Sequence, residues 1–380
     1  MELILKQYDI PLLRFSATND SSTPEIEVHW INEDQRHLLP LDMELSPEGI
    51  SRWMRRRTIP RNRAYVNRLL AKCGLNANRP MGILALCKGL SVDDSYWVVE
   101  EGFEGTFEKY NLFENRFNEV LALIAFTGYG SRNRSSLASS PEFTTNGMLP
   151  KCWRRISGKV TLYKGGTDGG YNTGAEPYCE YYAAQVAAAM GIDAIPYGLS
   201  QWKGRLCSTC ELFTDIDHAY MPIGNLVQRG GFDAVAAYYE NLGEPFQKAF
   251  RDMLVFDAVI CNTDRHYGNF GFMIDNKTNT IAAPAPLFDH GNSLFNQAGP
   301  EDYESPEAFQ QYIDTLVPCV YDDFFATAKR FMTDENREQL RKLLGFRFKR
   351  HVRYNLPPKR LKLMEEQVRK RAMRLLENKD

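Results

Sequence analysis

No apolar run in this sequence approaches the roughly 18 residues that a membrane-spanning helix requires. Its nearest candidate, Leu254 to Cys261, is short and interrupted by Asp257. The opening Met1-Glu2-Leu3-Ile4-Leu5-Lys6 lacks the long apolar stretch and small-residue cleavage site of a secretory signal. The expectation is a soluble, cytoplasmic chain with no membrane partner. A zinc ribbon is missing its second half: Cys207-Ser208-Thr209-Cys210 is a lone CxxC, and the other six of the eight cysteines are scattered, as reduced thiols would be. GxxxxGK-S/T, GxGxxG, HExxH and GxSxG are all absent, so P-loop, dinucleotide-binding, zinc-protease and serine-hydrolase chemistry lose their usual signatures. There is no internal repeat, no low-complexity block and no complete DNA-reading motif.

What is present has an ordinary globular balance. Apolar residues make up 43% and charged residues 25%, which excludes a largely disordered chain, and 380 residues suggest two or three domains. The formal charge of -2 hides an asymmetry, because Arg341 to Asp380 carries 14 Lys/Arg against 4 Asp/Glu. Such a tail suits nucleic acid, an acidic partner, or a helix docked on its own acidic body. Pro357-Pro358 followed by Leu361, Leu363, Met364, Val368, Ala372 and Leu375 reads as an amphipathic helix. A second basic stretch, Arg52, Arg55, Arg56, Arg57, Arg61, Arg63 and Arg68, reads first as helices salt-bridged to the body and second as an anion-binding face.

Residues 1 to 45 read as short strands and turns, the latter at Asn19-Asp20-Ser21-Ser22 and Asn32-Glu33-Asp34. Ser46-Pro47 opens a helix as N-cap and N1, and residues 111 to 126 are expected to form another. Tyr129 to Gly147, rich in Gly, Ser, Thr and Asn, reads as a long mobile loop. Lys159 to Lys164 alternates like a strand and runs into a second glycine loop, Gly165 to Gly170. A helix from Pro177 to Met190, closed by Gly191, follows, with Tyr178, Tyr181 and Tyr182 in its packing. Strand-like Ile195 to Leu199 and Arg205 to Phe213 precede a mostly helical remainder. Strands first and helices later give an α+β arrangement of two lobes.

The densest chemistry lies in Val259-Ile260-Cys261-Asn262-Thr263-Asp264-Arg265-His266-Tyr267-Gly268-Asn269-Phe270. Apolar periodicity through Phe246, Phe250, Met253 and Leu254 stops at Asn262, so a buried helix ends in a polar loop. Charged groups beside a core helix are costly unless paired. Asp257 is either a buried anchor for that loop or half of a surface ion pair. Phe270 to Asp275 and Thr280 to Leu287 flank the turn signal Asn276-Lys277-Thr278-Asn279, and the resulting hairpin carries position 269 opposite residues 286 to 289. Asp289-His290-Gly291 sits there. Asp264, Asn269 and Asp289 then converge as hard oxygen donors that suit Mg²⁺ rather than zinc. One Asp and one Asn on a hard cation, beside an Asp that accepts a hydroxyl proton, is the logic of phosphoryl transfer. That chemistry also needs a lysine at a strand end beside mobile glycine loops, which Lys164 supplies. Glu180 on the next helix is placed to pair with it, and Glu211-Leu212-Phe213 is a hinge where adenine could meet backbone groups.

These motifs resemble the HipA-like kinases, bacterial relatives of protein and phosphoinositide kinases. The resemblance rests on Asn262-Thr263-Asp264-Arg265-His266-Tyr267-Gly268-Asn269-Phe270 followed by Asp289-His290-Gly291. Gly147-Met148-Leu149-Pro150-Lys151 is similar to that family's phosphate loop, and Glu180 and Gly191 share the spacing of its NE…G helix. The likeness covers residues 130 to 295. It implies a bilobed protein-kinase-like fold with a β-rich upper lobe and a mostly helical lower lobe, using ATP and Mg²⁺. By the same resemblance Asp264 is the catalytic base, Asn269 and Asp289 are the metal ligands, and Lys164 contacts the α- and β-phosphates. The Thr144 to Lys151 loop, with Gly147 and Lys151, covers the γ-phosphate. Glu180, Glu211, Phe213 and His266 complete the nucleotide site, His266 with a hydrogen bond to loop backbone as its structural role. His290 stands where D-F-G has phenylalanine. Family members can phosphorylate a serine in their own phosphate loop, and the nearest hydroxyls here are Ser139, Ser140, Thr144 and Thr145.

The domains expected are an N-terminal subdomain over residues 1–110, an upper lobe with the phosphate loop over 111–213 and a helical lobe over 214–380. The function expected is phosphoryl transfer to Ser/Thr of a protein, as in HipA-type toxins. The alternatives are a kinase-like scaffold binding DNA or an antitoxin partner, and a kinase for a small-molecule acceptor.

Overall fold

The computed structural model describes residues 1–18, 24–130, 140–169 and 172–377. The turn expected at 19–22, the 131–139 stretch of the long loop with Ser139, and Gly170 of the second glycine loop lie outside them. The chain forms two compact units. Met1–Lys164, Glu211–Met221 and Met273–Ala282 make the first; Gly165–Cys210, Pro222–Phe272 and Ala283–Asp380 make the second.

In the first unit, β1 (Glu2–Gln7), β2 (Ile10–Ala17), β3 (Ile26–Ile31) and β4 (Tyr96–Glu100) form an antiparallel sheet in the order β3-β2-β1-β4. The period-two alternation of strands sends side chains to two different cores. Leu3, Leu5, Leu13, Phe15, Tyr96 and Val98 join Trp53 and Met54 on one face, while Trp97 and Val99 pack with Phe107 and Leu112 on the other. Trp53 and Met54 come from the helix Pro47–Arg56, which begins where Ser46 Oγ accepts the Gly49 N–H at 3.1 Å. Gly49 is forced by space: a Cβ there would lie 2.3 Å from the Glu44 carbonyl oxygen.

The helix expected over 111 to 126 is shorter, Glu119–Thr127. Two asparagines explain the difference. Asn111 Oδ1 accepts from the N–H groups of Phe113 and Glu114, and Asn118 Oδ1 accepts from those of Val120 and Leu121. The first contact holds a turn and the second caps the helix, in competition with any longer helix. Three arginines of the basic stretch are tied inward, Arg56 to Asp42, Arg57 to Asp94 and Arg63 to Glu142, while Arg52, Arg55, Arg61 and Arg68 are exposed. Beyond it, β5 (Lys151–Ile156) and β6 (Lys159–Gly165) make an antiparallel hairpin with Lys151 directly opposite Lys164.

The second unit is mostly helical. Its axis is the helix Phe246–Ile260, buried almost continuously from Phe250 onward. Helices Ala175–Met190, Gly231–Leu242, Phe324–Phe331, Asp334–Arg341 and Pro358–Leu376 all pack on it. Ala175–Met190 is capped by Gly191 in the left-handed region, and Tyr182 packs on Phe348. The basic tail is in large part the docked helix anticipated from its periodicity, with Leu361, Met364, Val368, Ala372 and Leu375 buried. The antiparallel hairpin β7 (Gly198–Trp202) and β8 (Arg205–Glu211) holds both CxxC cysteines, which are free thiols. In the first unit, which holds most of each strand, β9 (His218–Pro222), β10 (Gly271–Asp275) and β11 (Thr280–Pro284) form a sheet ordered β11-β10-β9. The β10–β11 turn falls where expected, with Asp275 Oδ1 accepting from the N–H groups of Lys277 and Thr278.

Candidate active site

The polar loop begins where Cys261 enters the left-handed region (φ 54°) and ends the Phe246–Ile260 helix. Its geometry is dictated from inside by Arg265. The guanidinium is buried, and its Nε and Nη2 donate to the two carboxylate oxygens of Asp257 at 2.9 and 3.0 Å. Nη1 donates to the carbonyls of Asn269 (3.1 Å) and Phe288 (2.6 Å), and Nη2 meets His290 Nδ1 at 3.0 Å. One side chain thus ties the core helix, the end of the loop and the segment after β11 together. Asp257 is the buried anchor of the two readings. Burial pushes its carboxyl up, and the Arg265 guanidinium works against that. We take the pair as charged, since both carboxylate oxygens are matched to the guanidinium fork.

Asp264 is half-buried on this loop. Its Oδ2 accepts from Asn292 Nδ2 at 2.8 Å, while Oδ1 accepts no hydrogen bond among the described residues. Asn292 is itself fixed, its Oδ1 accepting from Asn296 and its carbonyl from both Thr263 donors. A carboxylate with one oxygen anchored and the other open has the form of a general base. Asn269, five residues on, donates through Nδ2 to the Asp264 carbonyl at 3.1 Å, leaving Oδ1 as its acceptor atom. Asp289 sits at φ 56°, a conformation costly for a non-glycine residue and concentrated at functional sites, and its N–H donates to the buried Tyr197 hydroxyl at 3.1 Å. The next N–H, of His290, donates to Glu180 Oε2 at 2.7 Å. Glu180 therefore fixes the Asp289 segment. His266 is exposed and its Nδ1 accepts the Gly268 N–H, the local role anticipated for it.

The donor set can be tested against a metal. Among the described residues no group of three or more His, Cys, Asp or Glu side chains could hold an ion. Mg²⁺ takes one or two protein oxygens and completes its shell with water and substrate phosphates. The Asp289 carboxylate and the Asn269 amide oxygen are donors of that kind.

In the first unit, Lys151 and Lys164 are both buried and stand directly opposite on adjacent strands. Lys151 Nζ donates to the Asn146 carbonyl at 2.8 Å, closing the turn at Gly147, whose φ of +90° needs glycine. Glu211 stands apart from these lysines: it pairs with Lys159, at the other end of β6 from Lys164. The Leu212 N–H is committed to the Val160 carbonyl, and Phe213 packs edge-on against Tyr220. Of the loop hydroxyls, Ser140 and Thr144 are buried and Thr145 is half-buried, with Thr144 Oγ donating to the Leu90 carbonyl and Thr145 Oγ to that of Pro141.

Arg265 and Asn292 are the residues whose roles sequence reasoning missed. A signal for each exists: Arg265 lies eight residues after a buried Asp, and Asn292 three after Asp289.

No protein-family model matches the chain. The structure aligns with HipA of Shewanella oneidensis MR-1, solved with HipB and its operator DNA, over 98% of this chain and 97% of that one, at TM-score 0.52 and 13% identity. The fold is that of the HipA-like kinases. The crystal structure of the proinflammatory kinase CtkA of Helicobacter pylori also aligns, at TM-score 0.50 and 15% identity, over 61% of this chain and 90% of that one. In sequence, 135 residues are 27% identical to the serine/threonine-protein kinase CtkA of Helicobacter pylori strain J99, covering 32% of this chain. The match spans 41% of that relative's length. The resemblance read from the motifs holds at the level of the HipA-like fold. No helix among the described residues is long and apolar enough to cross a membrane.

Proposed function

We propose that this chain is an ATP- and Mg²⁺-dependent kinase that phosphorylates Ser or Thr of a protein, itself included, in the manner of a HipA-type toxin. The observation that carries this reading is the loop that holds Asp264 by one oxygen only, five residues before Asn269. The Asp264 Oδ1 takes the proton of the acceptor hydroxyl as its oxygen bonds the γ-phosphorus and the bond to the β-phosphate oxygen breaks, giving the phosphoester and ADP. Asn269 and Asp289 would hold Mg²⁺, whose charge neutralises phosphate oxygens. Lys151 and Lys164 supply fixed positive charge for the phosphates, and Glu180 orients the Asp289 segment. Incubation with Mg-ATP should add phosphate to the wild type or to a supplied protein acceptor, as read by intact mass. Asp264→Asn should slow transfer by about 10²–10⁴-fold, the usual worth of a general base. Unchanged transfer in that variant would defeat the proposal.

A second reading is association with an antitoxin or DNA. It is favoured by a structural neighbour solved with HipB and operator DNA. The segment from Arg347 to Arg353 adds to it: Arg347, Lys349, Arg350 and Arg353 are exposed there and form no ion pair among the described residues. DNA binding that weakens steeply with salt and persists in Asp264→Asn is its signature.

A further inference from the structure

The segment from Ser140 to Lys151, whose Thr144 to Lys151 part was read above as the loop over the γ-phosphate, is fastened by a dipeptide some eighty residues upstream. Arg63 Nη1 donates to the carbonyls of Glu142 (3.1 Å) and Thr145 (3.0 Å), and Nη2 donates to Glu142 Oε2 (3.0 Å) and to the Lys151 carbonyl (2.7 Å). The neighbouring Ala64 N–H donates to the Met148 carbonyl at 2.8 Å. Positions 142, 145, 148 and 151 are thereby each held, one in every three along the loop. The other Glu142 oxygen accepts the Trp153 N–H at 2.9 Å, and the Trp153 indole donates to Thr145 Oγ at 3.0 Å.

Arg63 and Glu142 have essentially no accessible side-chain surface. A buried ion pair of this kind gains little stability over an apolar pair of the same volume. What it does supply is geometry: a planar fork with five N–H donors can gather three carbonyls and a carboxylate oxygen at once, which the point charge of a lysine cannot. We propose that Arg63 is a positioning residue for nucleotide binding, presetting the backbone of the Ser140–Lys151 loop through its carbonyls. The inference rests on the kinase reading for the identity of the ligand, and on the hydrogen bonds alone for the brace.

The test compares Arg63→Lys with Arg57→Lys. Arg57 belongs to another buried pair of the same unit, with Asp94, and bonds nothing in the loop. Both variants should lower the melting temperature. Only Arg63→Lys should raise the KM for Mg-ATP, by about tenfold with kcat changed less than about threefold, as expected for lost positioning of a bound substrate. Only it should speed amide hydrogen exchange in the 140–151 peptide of the nucleotide-free protein. If Arg63→Lys does not fold, Glu142→Gln, which removes the charge but keeps an acceptor for Trp153, should show the same two changes. Equal KM and equal exchange in the Arg63 and Arg57 variants would overturn the proposal. A wild type that neither binds nor turns over ATP would defeat the kinase reading instead, and the exchange data would still decide the brace.

Discussion

Arg265 holds four partners with one guanidinium, and its value is best measured by what its loss would strand. Arg265→Met leaves the buried Asp257 carboxylate without its cation, the situation in which a broken buried pair costs about 3–5 kcal/mol. Urea unfolding should show that loss, whereas Asp264→Asn, at a half-buried position, should shift stability by less than about 1 kcal/mol. Asn292 gives a second prediction. Its amide makes the one hydrogen bond to the Asp264 carboxylate among the described residues, and a bond to a charged group is worth about 1.5–3 kcal/mol. Asn292→Ala should therefore lower kcat by about tenfold or more with the KM for ATP unchanged. An equal effect on both parameters would mean that Asn292 supports the fold rather than the base. The sequence marks both positions only by their spacing from Asp257 and Asp289, because each role depends on which atoms face each other across a turn.

Elements were legible where local chemistry decides them. Ser46-Pro47, Gly191 and Asn276 to Asn279 each announced a helix start, a helix end and a hairpin turn, and the structure has all three. Ser46→Ala should cost about 1 kcal/mol in thermal or urea unfolding, the usual loss for a capping hydroxyl. The helix expected over 111 to 126 was overdrawn because its apolar spacing continues through Asn111 and Asn118, whose side chains take over backbone N–H groups. The loop of residues 140–151 was harder still. Its first part falls in the Tyr129 to Gly147 stretch whose composition suggests mobility, but its shape is set by Arg63, 79 residues before Glu142, and sequence periodicity carries no trace of so distant a partner.

At the scale of the whole molecule, the charge asymmetry splits into two parts. The C-terminal helix buries its apolar face, while the 347–353 segment keeps its cations in solvent. The site was legible as far as topology carried it: the β10–β11 hairpin set residue 269 opposite residues 286 to 289, and the carbonyls of Asn269 and Phe288 share Arg265 Nη1. Stability should also depend on pH through Asp93. Burial, and then its neighbour Asp94, push its carboxyl up to about 6, against the counter-pull of Ser91 and Arg57. The unfolded chain ionises this group more readily, so wild-type stability should fall as pH rises from about 4 to about 6 and then level. Asp93→Asn should be more stable than wild type by up to about 3 kcal/mol at neutral pH, an advantage that vanishes near pH 4. A constant difference across that range would assign the effect to packing.

The most direct test of the account is the rate of phosphate transfer from Mg-ATP in Asp264→Asn beside the wild type, with nucleotide affinity measured on the same preparations. Transfer should fall by about 10²–10⁴-fold with affinity for ATP nearly unchanged. Transfer that survives the substitution would contradict it.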